Sequence, residues 1–187
     1  LNAANDRFMN FQWYVGEAAT ASTGLNAAGA VIGATEVALK QTEVDAAQLD
    51  PVVFPTPVLA NVSTAGPDWV QIGTEGGFLP APVVVDGQQP TTWITDPTRF
   101  DVGNVDQHSL LLAPAERADA IVDFSKFAGK TLILYNDAPA AFPARVPTYD
   151  YYTGAPDLSP TGAPKIFPGY GPNTRTVMQV TVAATTP

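Results

Sequence analysis

Glycine and proline interrupt this chain so often that few stretches are long enough to form a helix of several turns. The sequence contains 15 Gly and 18 Pro among its 187 residues. Both residues punctuate regular structure, and the runs between them are short and rich in Val, Ile, Phe and Tyr. This pattern predicts an all-β sandwich. The length suits one domain over 1–187 with long loops.

Alternation of apolar and polar side chains locates the strands. At 118–124, alternate positions ending at Phe124 are apolar, whereas Ile121 lies between two Asp on the other face. We therefore expect Phe124 to point into the core and Ile121 to point outward. The run at 130–135 is apolar on both faces, as in a mid-sheet strand. Strands are predicted at 7–15, 35–40, 69–73, 78–85, 108–112, 118–124, 130–135 and 176–182, with one or two helical turns at 43–49.

Three long irregular insertions separate the strands, at about 16–68, 87–107 and 139–172. Loops of this length are uncommon in compact domains unless they bind something or pack against another domain. Charged residues make up only 14% of the chain, against about 25% in an average domain. We therefore expect part of the surface to face other protein.

The ionisable residues exclude several classes of function. The chain has no Cys, one His and a net charge of −9, so disulfides, thiolate catalysis and cysteine metal sites are excluded. A blue-copper site needs two His and one Cys, and nucleic-acid binding needs clustered Lys and Arg. No apolar run approaches the roughly 18 residues of a membrane span. The chain does not begin with Met, so we expect processing or excision from something larger.

The only histidine, His108, follows three aspartates: Asp96, Asp101 and Asp106. Oxygen-rich sets of this kind can hold calcium or manganese, but the spacing does not match an EF-hand loop. The alternative is a solvated acidic loop beside a His that begins a strand. Both interpretations stay open, and the solvated loop is favoured.

An aromatic cluster at Tyr149, Tyr151 and Tyr152 lies in the third insertion. Such residues could stack a sugar or a phenol, or relay an electron. Tyrosine is also common where protein surfaces meet. We favour packing, within the domain or against another one.

Five segments resemble, in order, the second cupredoxin domain of three-domain multicopper oxidases. The segments are LNAANDRF at 1–8, QIGTEGGFLP at 71–80, LAPAERAD with VDF at 112–124, NDAP at 136–139 and TVMQV at 176–180. The insertions are similar to those of large bacterial members, some of which are associated with manganese oxidation. Each segment also has a structural interpretation, in which Gly76-Gly77 forms a bend and Arg117 pairs with Asp119 or Asp123.

The resemblance implies a cupredoxin-like Greek-key β-sandwich with long irregular insertions. In that family the middle domain carries no copper ligands, and the first and third domains supply them. We therefore expect no catalytic, cofactor-binding or metal residue in this chain. Its partners would be the neighbouring cupredoxin domains, with self-association possible and no nucleic acid or membrane. The location would be extracytoplasmic. Two alternatives remain: a copper-free extracellular binding module, and a self-assembling structural protein.

Overall fold

The structure is a computed structural model in which eleven strands, one α-helix and two short 3-10 helices form among the described residues. These residues are 1–4, 7–18, 35–50, 53–56, 65–87, 89, 91–94, 96–102, 104–138, 151–152, 155–163, 165 and 174–184. The elements are β1 (Met9–Val15), β2 (Glu17–Ala18), β3 (Thr35–Glu36), α1 (Gln41–Leu49), β4 (Trp69–Thr74), β5 (Gly77–Val85), β6 (Thr92–Trp93), β7 (Val105–Gln107), β8 (Leu110–Leu112), β9 (Ala118–Ile121), β10 (Thr131–Asn136) and β11 (Thr176–Thr181).

Two antiparallel sheets enclose the main core. One has four strands in the order β11-β10-β1-β8, and the other has three in the order β5-β4-β9. Trp13 and Leu132 from the first sheet pack against Trp69 and Val85 from the second. The strands β2 and β3 form a separate two-stranded sheet, and so do β6 and β7. The predicted all-β sandwich is confirmed.

The four-stranded sheet is buried on its second face as well. Tyr14 in β1 and Ile133 and Tyr135 in β10 point away from the main core and pack with Val37, while Leu39 covers them in part. Period-two alternation along both strands requires this division. Because β10 lies between β11 and β1 and is covered on both sides, its prediction as an apolar mid-sheet strand is confirmed.

The register of β9 is also as predicted. Phe124, just after the strand, meets Trp13 edge-on with ring centroids 5.3 Å apart, and Ala120 packs against the same core. Ile121 is 56% exposed. The alternation of the sequence was sufficient to assign the two faces.

The β4–β5 bend forms at the predicted Gly pair, but the predicted partners of Arg117 are wrong. Gly76 has a φ of 84°, and Glu75 before it has a φ of 50°. Strand pairing brings this turn beside β9, so the Arg117 guanidinium lies 3.2 Å from the Glu75 carboxylate. The Arg117 amide also donates to Glu75 at 2.6 Å. The Arg117–Glu75 pair is exposed. It joins the β4–β5 turn to the residue before β9, whereas the predicted partners, Asp119 and Asp123, lie further along the same segment as Arg117.

Several element boundaries differ from the prediction. The strand expected at 35–40 is regular only over β3, and two short strands, β6 and β7, lie within the insertion at 87–107. His108 precedes β8 and has a φ of 60°. Its carbonyl accepts hydrogen bonds from Gln12 and Thr91, so it is not available to the β8 ladder. The helix is confirmed but begins at Gln41. No helix in the described part of the chain is long and apolar enough to cross a membrane.

Candidate functional site

A buried polar cluster lies on the second face of the four-stranded sheet. We call it the Tyr14 cluster; it comprises Tyr14, Tyr135, Asp137, Tyr152 and Arg175. Tyr14 is 2% exposed, Asp137 5% and Arg175 0%. Buried ionisable groups at this depth persist only when they are paired or hydrogen-bonded.

Tyr14 and Asp137 form the central hydrogen bond of the Tyr14 cluster. The Tyr14 hydroxyl donates to the Asp137 carboxylate at 2.7 Å. Strand pairing between β1 and β10 positions the two residues, and the Asp137 amide donates to the Asn10 carbonyl at 2.8 Å just past the end of β10. The Tyr14 ring meets Tyr135 edge-on, with centroids 5.6 Å apart.

Burial shifts the pKa of both groups in the same direction. It raises the pKa of the Asp137 carboxyl, while the Tyr14 hydrogen bond and the positive charges of Arg175 and Lys40 oppose that rise. Burial also raises the pKa of the Tyr14 phenol, and the neighbouring Asp137 charge raises it further. Each group therefore keeps its own proton to a higher pH than it would in water, because burial penalises both ionised forms.

Arg175 supplies the positive charge of the Tyr14 cluster. Its guanidinium carbon lies 3.9 Å from the centre of the Phe54 ring and 4.3 Å from that of Tyr152. It donates to the Pro55 carbonyl at 2.5 Å and to the Tyr135 hydroxyl at 3.3 Å. A delocalised guanidinium can stack on two rings and still donate in its own plane.

This arrangement joins two insertions to the sheet. Phe54 and Pro55 belong to the first insertion and Tyr152 to the third, and all three contact Arg175. Because Arg175 and Asp137 are inaccessible to solvent, they cannot bind a substrate in this conformation. The chemistry open to the Tyr14 cluster is internal: cross-linking of segments, and exchange of a proton between Tyr14 and Asp137.

A second set of buried polar residues, Asn10, Gln12 and Asn136, lies beside the Tyr14 cluster. The Asn10 side chain donates to Thr91 at 2.9 Å, and the Asn136 side chain accepts from the Asn10 amide at 3.0 Å. These bonds connect β1 and β10 to the insertion at 87–107. The polar face of β1 is therefore interior, although a polar face usually indicates contact with water.

Tyr151 and Tyr152, the two described tyrosines of the aromatic cluster, are buried. This agrees with the favoured interpretation, in which they pack against protein. Tyr151 is 9% and Tyr152 7% exposed. Tyr151 is held by reciprocal backbone and side-chain bonds to Thr174. Tyr149 lies outside the described residues.

The candidate cation ligands are engaged separately. Asp96 accepts from the Thr98 amide and hydroxyl, and Asp101 forms a bidentate pair with Arg99. These partners hold the pKa of each carboxyl below its ordinary value. Within the described ranges, no group of three His, Cys, Asp or Glu side chains, including Asp106 and His108, is arranged to hold a metal ion.

Sequence reasoning missed the roles of Tyr14, Asp137 and Arg175. Asp137 lies in the NDAP segment, which was assigned to the fold without a chemical role. Arg175 carries no signal of its own, since an Arg before a strand is ordinarily solvated. The nearest signal in the sequence is the aromatic pair Tyr151 and Tyr152, because adjacent aromatic side chains favour packing against other residues, and Arg175 lies over the Tyr152 ring.

Three proteins match about two fifths of the chain. A laccase from Bacillus stratosphericus is 38% identical over 69 residues, which are 37% of this chain and 9% of that protein. A laccase of Bacillus subtilis (strain 168) is 36% identical over 73 residues, 39% of this chain and 10% of that protein. Multicopper oxidase LPR2 of Arabidopsis thaliana is 33% identical over 82 residues, 44% of this chain and 10% of that protein.

The matched stretches thus span about a tenth of each relative's length. No protein-family profile and no solved structure matches the chain. The three partial matches support a multicopper oxidase-like, cupredoxin relation.

Proposed function

We propose that this chain is the copper-free middle cupredoxin domain of a multicopper oxidase, with a Greek-key sandwich fold. The parent enzyme would couple one-electron oxidation of phenols or metal ions to reduction of dioxygen to water. One observation carries the proposal: stretches 33–38% identical to laccases and a multicopper oxidase occur in a chain with no Cys and a single His. Such a chain lacks the ligands of a blue-copper site.

In this proposal the domain is structural, and it spaces the copper-bearing domains on either side. The Tyr14 cluster supports that role because it fixes Phe54 and Pro55 of the first insertion and Tyr152 of the third against the sheet. Segments anchored in this way can present a defined surface to a neighbouring domain. The parent would be extracytoplasmic.

Apolar side chains on the outside of the three-stranded sheet support contact with other protein. Val84 is 62% and Ile121 56% exposed, and each pairs with Val70 across the sheet. Phe78, at the start of β5, is 87% exposed. An apolar stripe across a sheet is the kind of surface that another protein covers. Self-association of a copper-free binding or structural protein is the alternative that the same residues allow.

Sequencing the coding region on both sides of this chain tests the proposal. We expect a cupredoxin domain with His-X-His pairs upstream, and a His-Cys-His set downstream. A reading frame that lacks these motifs on both sides would contradict the proposal and favour the alternative.

A further inference from the structure

Two pairs of aromatic rings lie on the opposite faces of β1. Trp69 and Trp13 have ring centroids 5.6 Å apart in the main core. Trp13 and Tyr14 are consecutive in β1 and point to opposite faces, and Tyr14 meets Tyr135 at 5.6 Å. Trp69 is 9% exposed. An electron vacancy created at Trp69 can pass to Trp13 through their ring contact and from Trp13 to Tyr14 through the β1 backbone, in which the two residues are consecutive.

Proton transfer determines which of these side chains retains the electron vacancy. An oxidised phenol or indole is strongly acidic, so a stable neutral radical forms only where a base can take the proton. The Trp13 indole N–H is buried with no hydrogen-bond partner among the described residues. The Trp69 indole donates to a backbone carbonyl, that of Phe11, at 3.0 Å. The Tyr135 hydroxyl accepts from the Arg175 cation. Tyr14, in contrast, donates directly to a carboxylate at 2.7 Å.

We propose that Tyr14 and Asp137 form a proton-coupled redox centre that stores one oxidising equivalent as a neutral tyrosyl radical. A one-electron oxidant able to oxidise tryptophan takes one electron from the Tyr14 phenol. The phenolic O–H bond breaks, and the proton forms a new O–H bond on the Asp137 carboxylate. Return of one electron reverses both changes. The distance is that required of a general base.

Burial favours the direction of this proton transfer. The step converts a buried carboxylate into a neutral acid, and burial penalises the charged form. Arg175 and Lys40 act on Asp137 in the opposite sense. Among the residues that the structure describes, Tyr14 is the titratable group that hydrogen-bonds to the carboxylate. The inference does not depend on the place of this domain in a multicopper oxidase, so either proposal can fail alone.

Flash oxidation of the 187-residue chain by photogenerated tris(bipyridine)ruthenium(III) tests the inference. Transient absorption and freeze-trapped electron paramagnetic resonance record the radicals. We expect a tyrosyl radical in the wild type, and in Tyr14→Phe a loss of most of that signal with the vacancy left on tryptophan. Tyr135→Phe is the matched control, because it removes a neighbouring buried hydroxyl, and it should retain the radical. Asp137→Asn should slow radical formation on the order of 10²-fold.

Two measurements on the wild type test the inference even if the variants do not fold. Acidification that protonates Asp137 should slow formation of the Tyr14 radical, as the Asp137→Asn substitution does. Heavy water should slow its formation at neutral pH. Equal tyrosyl signals in wild type and a folded Tyr14→Phe would overturn the inference. So would a rate of radical formation that depends on neither pH nor heavy water.

Discussion

The Tyr14 hydroxyl and the Asp137 carboxylate are 2.7 Å apart, and both side chains are buried. The bond joins β1 to the residue after β10, on the face of the sheet opposite the main core. The positive charge of Arg175 acts on both groups, and Arg175 contacts both the first and the third insertion. A change in the charge of this pair should therefore affect the stability of the whole sheet.

Stability should depend on pH through Asp137 in a direction opposite to that of an ordinary surface aspartate. The folded pKa of Asp137 is raised above 3.8, so the folded state holds this proton more tightly than the unfolded state. That contribution is complete at low pH and is lost as pH rises from the unfolded pKa through the folded one. Urea unfolding of wild type and Asp137→Asn over this range should show Asn gaining stability relative to Asp as pH rises.

Asp123→Asn is the matched control. Asp123 is exposed, and hydrogen bonds from Ser125 lower its pKa. Its contribution is present above the unfolded pKa and is lost as pH falls through the folded one, so Asn should lose stability relative to Asp as pH rises. If both variants changed in the same direction, Asp137 would not be a buried carboxyl.

Removal of the guanidinium should lower the free energy of unfolding much more at Arg175 than at Arg117. Arg175→Met removes a buried positive charge that acts on Asp137 and leaves the Phe54 and Tyr152 rings without their cation, so we expect a loss of about 3 kcal/mol. Arg117→Met breaks an exposed pair with Glu75 and should cost less than about 1 kcal/mol. Denaturant unfolding of both variants checks the contrast. Equal losses would contradict the burial of the Arg175 guanidinium.

The faces of β9 can be checked by truncation. Phe124→Ala removes a ring that packs edge-on against Trp13, and we expect a loss of about 3 kcal/mol. Ile121→Ala, on the exposed face, should change stability by no more than about 0.5 kcal/mol. Thermal melts of the two variants are sufficient. The opposite ranking would indicate a register shifted by one residue.

The pattern of the sequence predicted the sandwich because strand faces are set by local alternation, as at Phe124 and Ile121. It did not predict that β1 is also buried on its second face. Asn10 and Gln12 alternate with apolar residues in β1, which normally indicates water on that side, yet the insertions cover them. Burial of Arg175 depends on Phe54, which is 121 positions away in the chain, and no local pattern encodes such a contact. The wrong partners for Arg117 have the same origin, since Glu75 approaches it only through strand pairing.

The exposed apolar stripe predicts association that a polar substitution weakens. Val84, in the stripe, is 62% exposed, so Val84→Ser should leave the unfolding free energy within about 1 kcal/mol of wild type. If the isolated chain self-associates through this surface, the variant should be monomeric at concentrations where wild type is not. Light scattering across a dilution series gives the mass. An oligomer of unchanged affinity would show that another surface is responsible.

Copper retention tests the central claim most directly, namely that this domain carries no copper of its own. The 187-residue chain should be incubated with copper, desalted, and measured for metal content and visible absorption. We expect no stoichiometric copper and no blue band, because the chain offers one His and no Cys. One tightly held copper per chain, with the absorption of a blue site, would contradict the account.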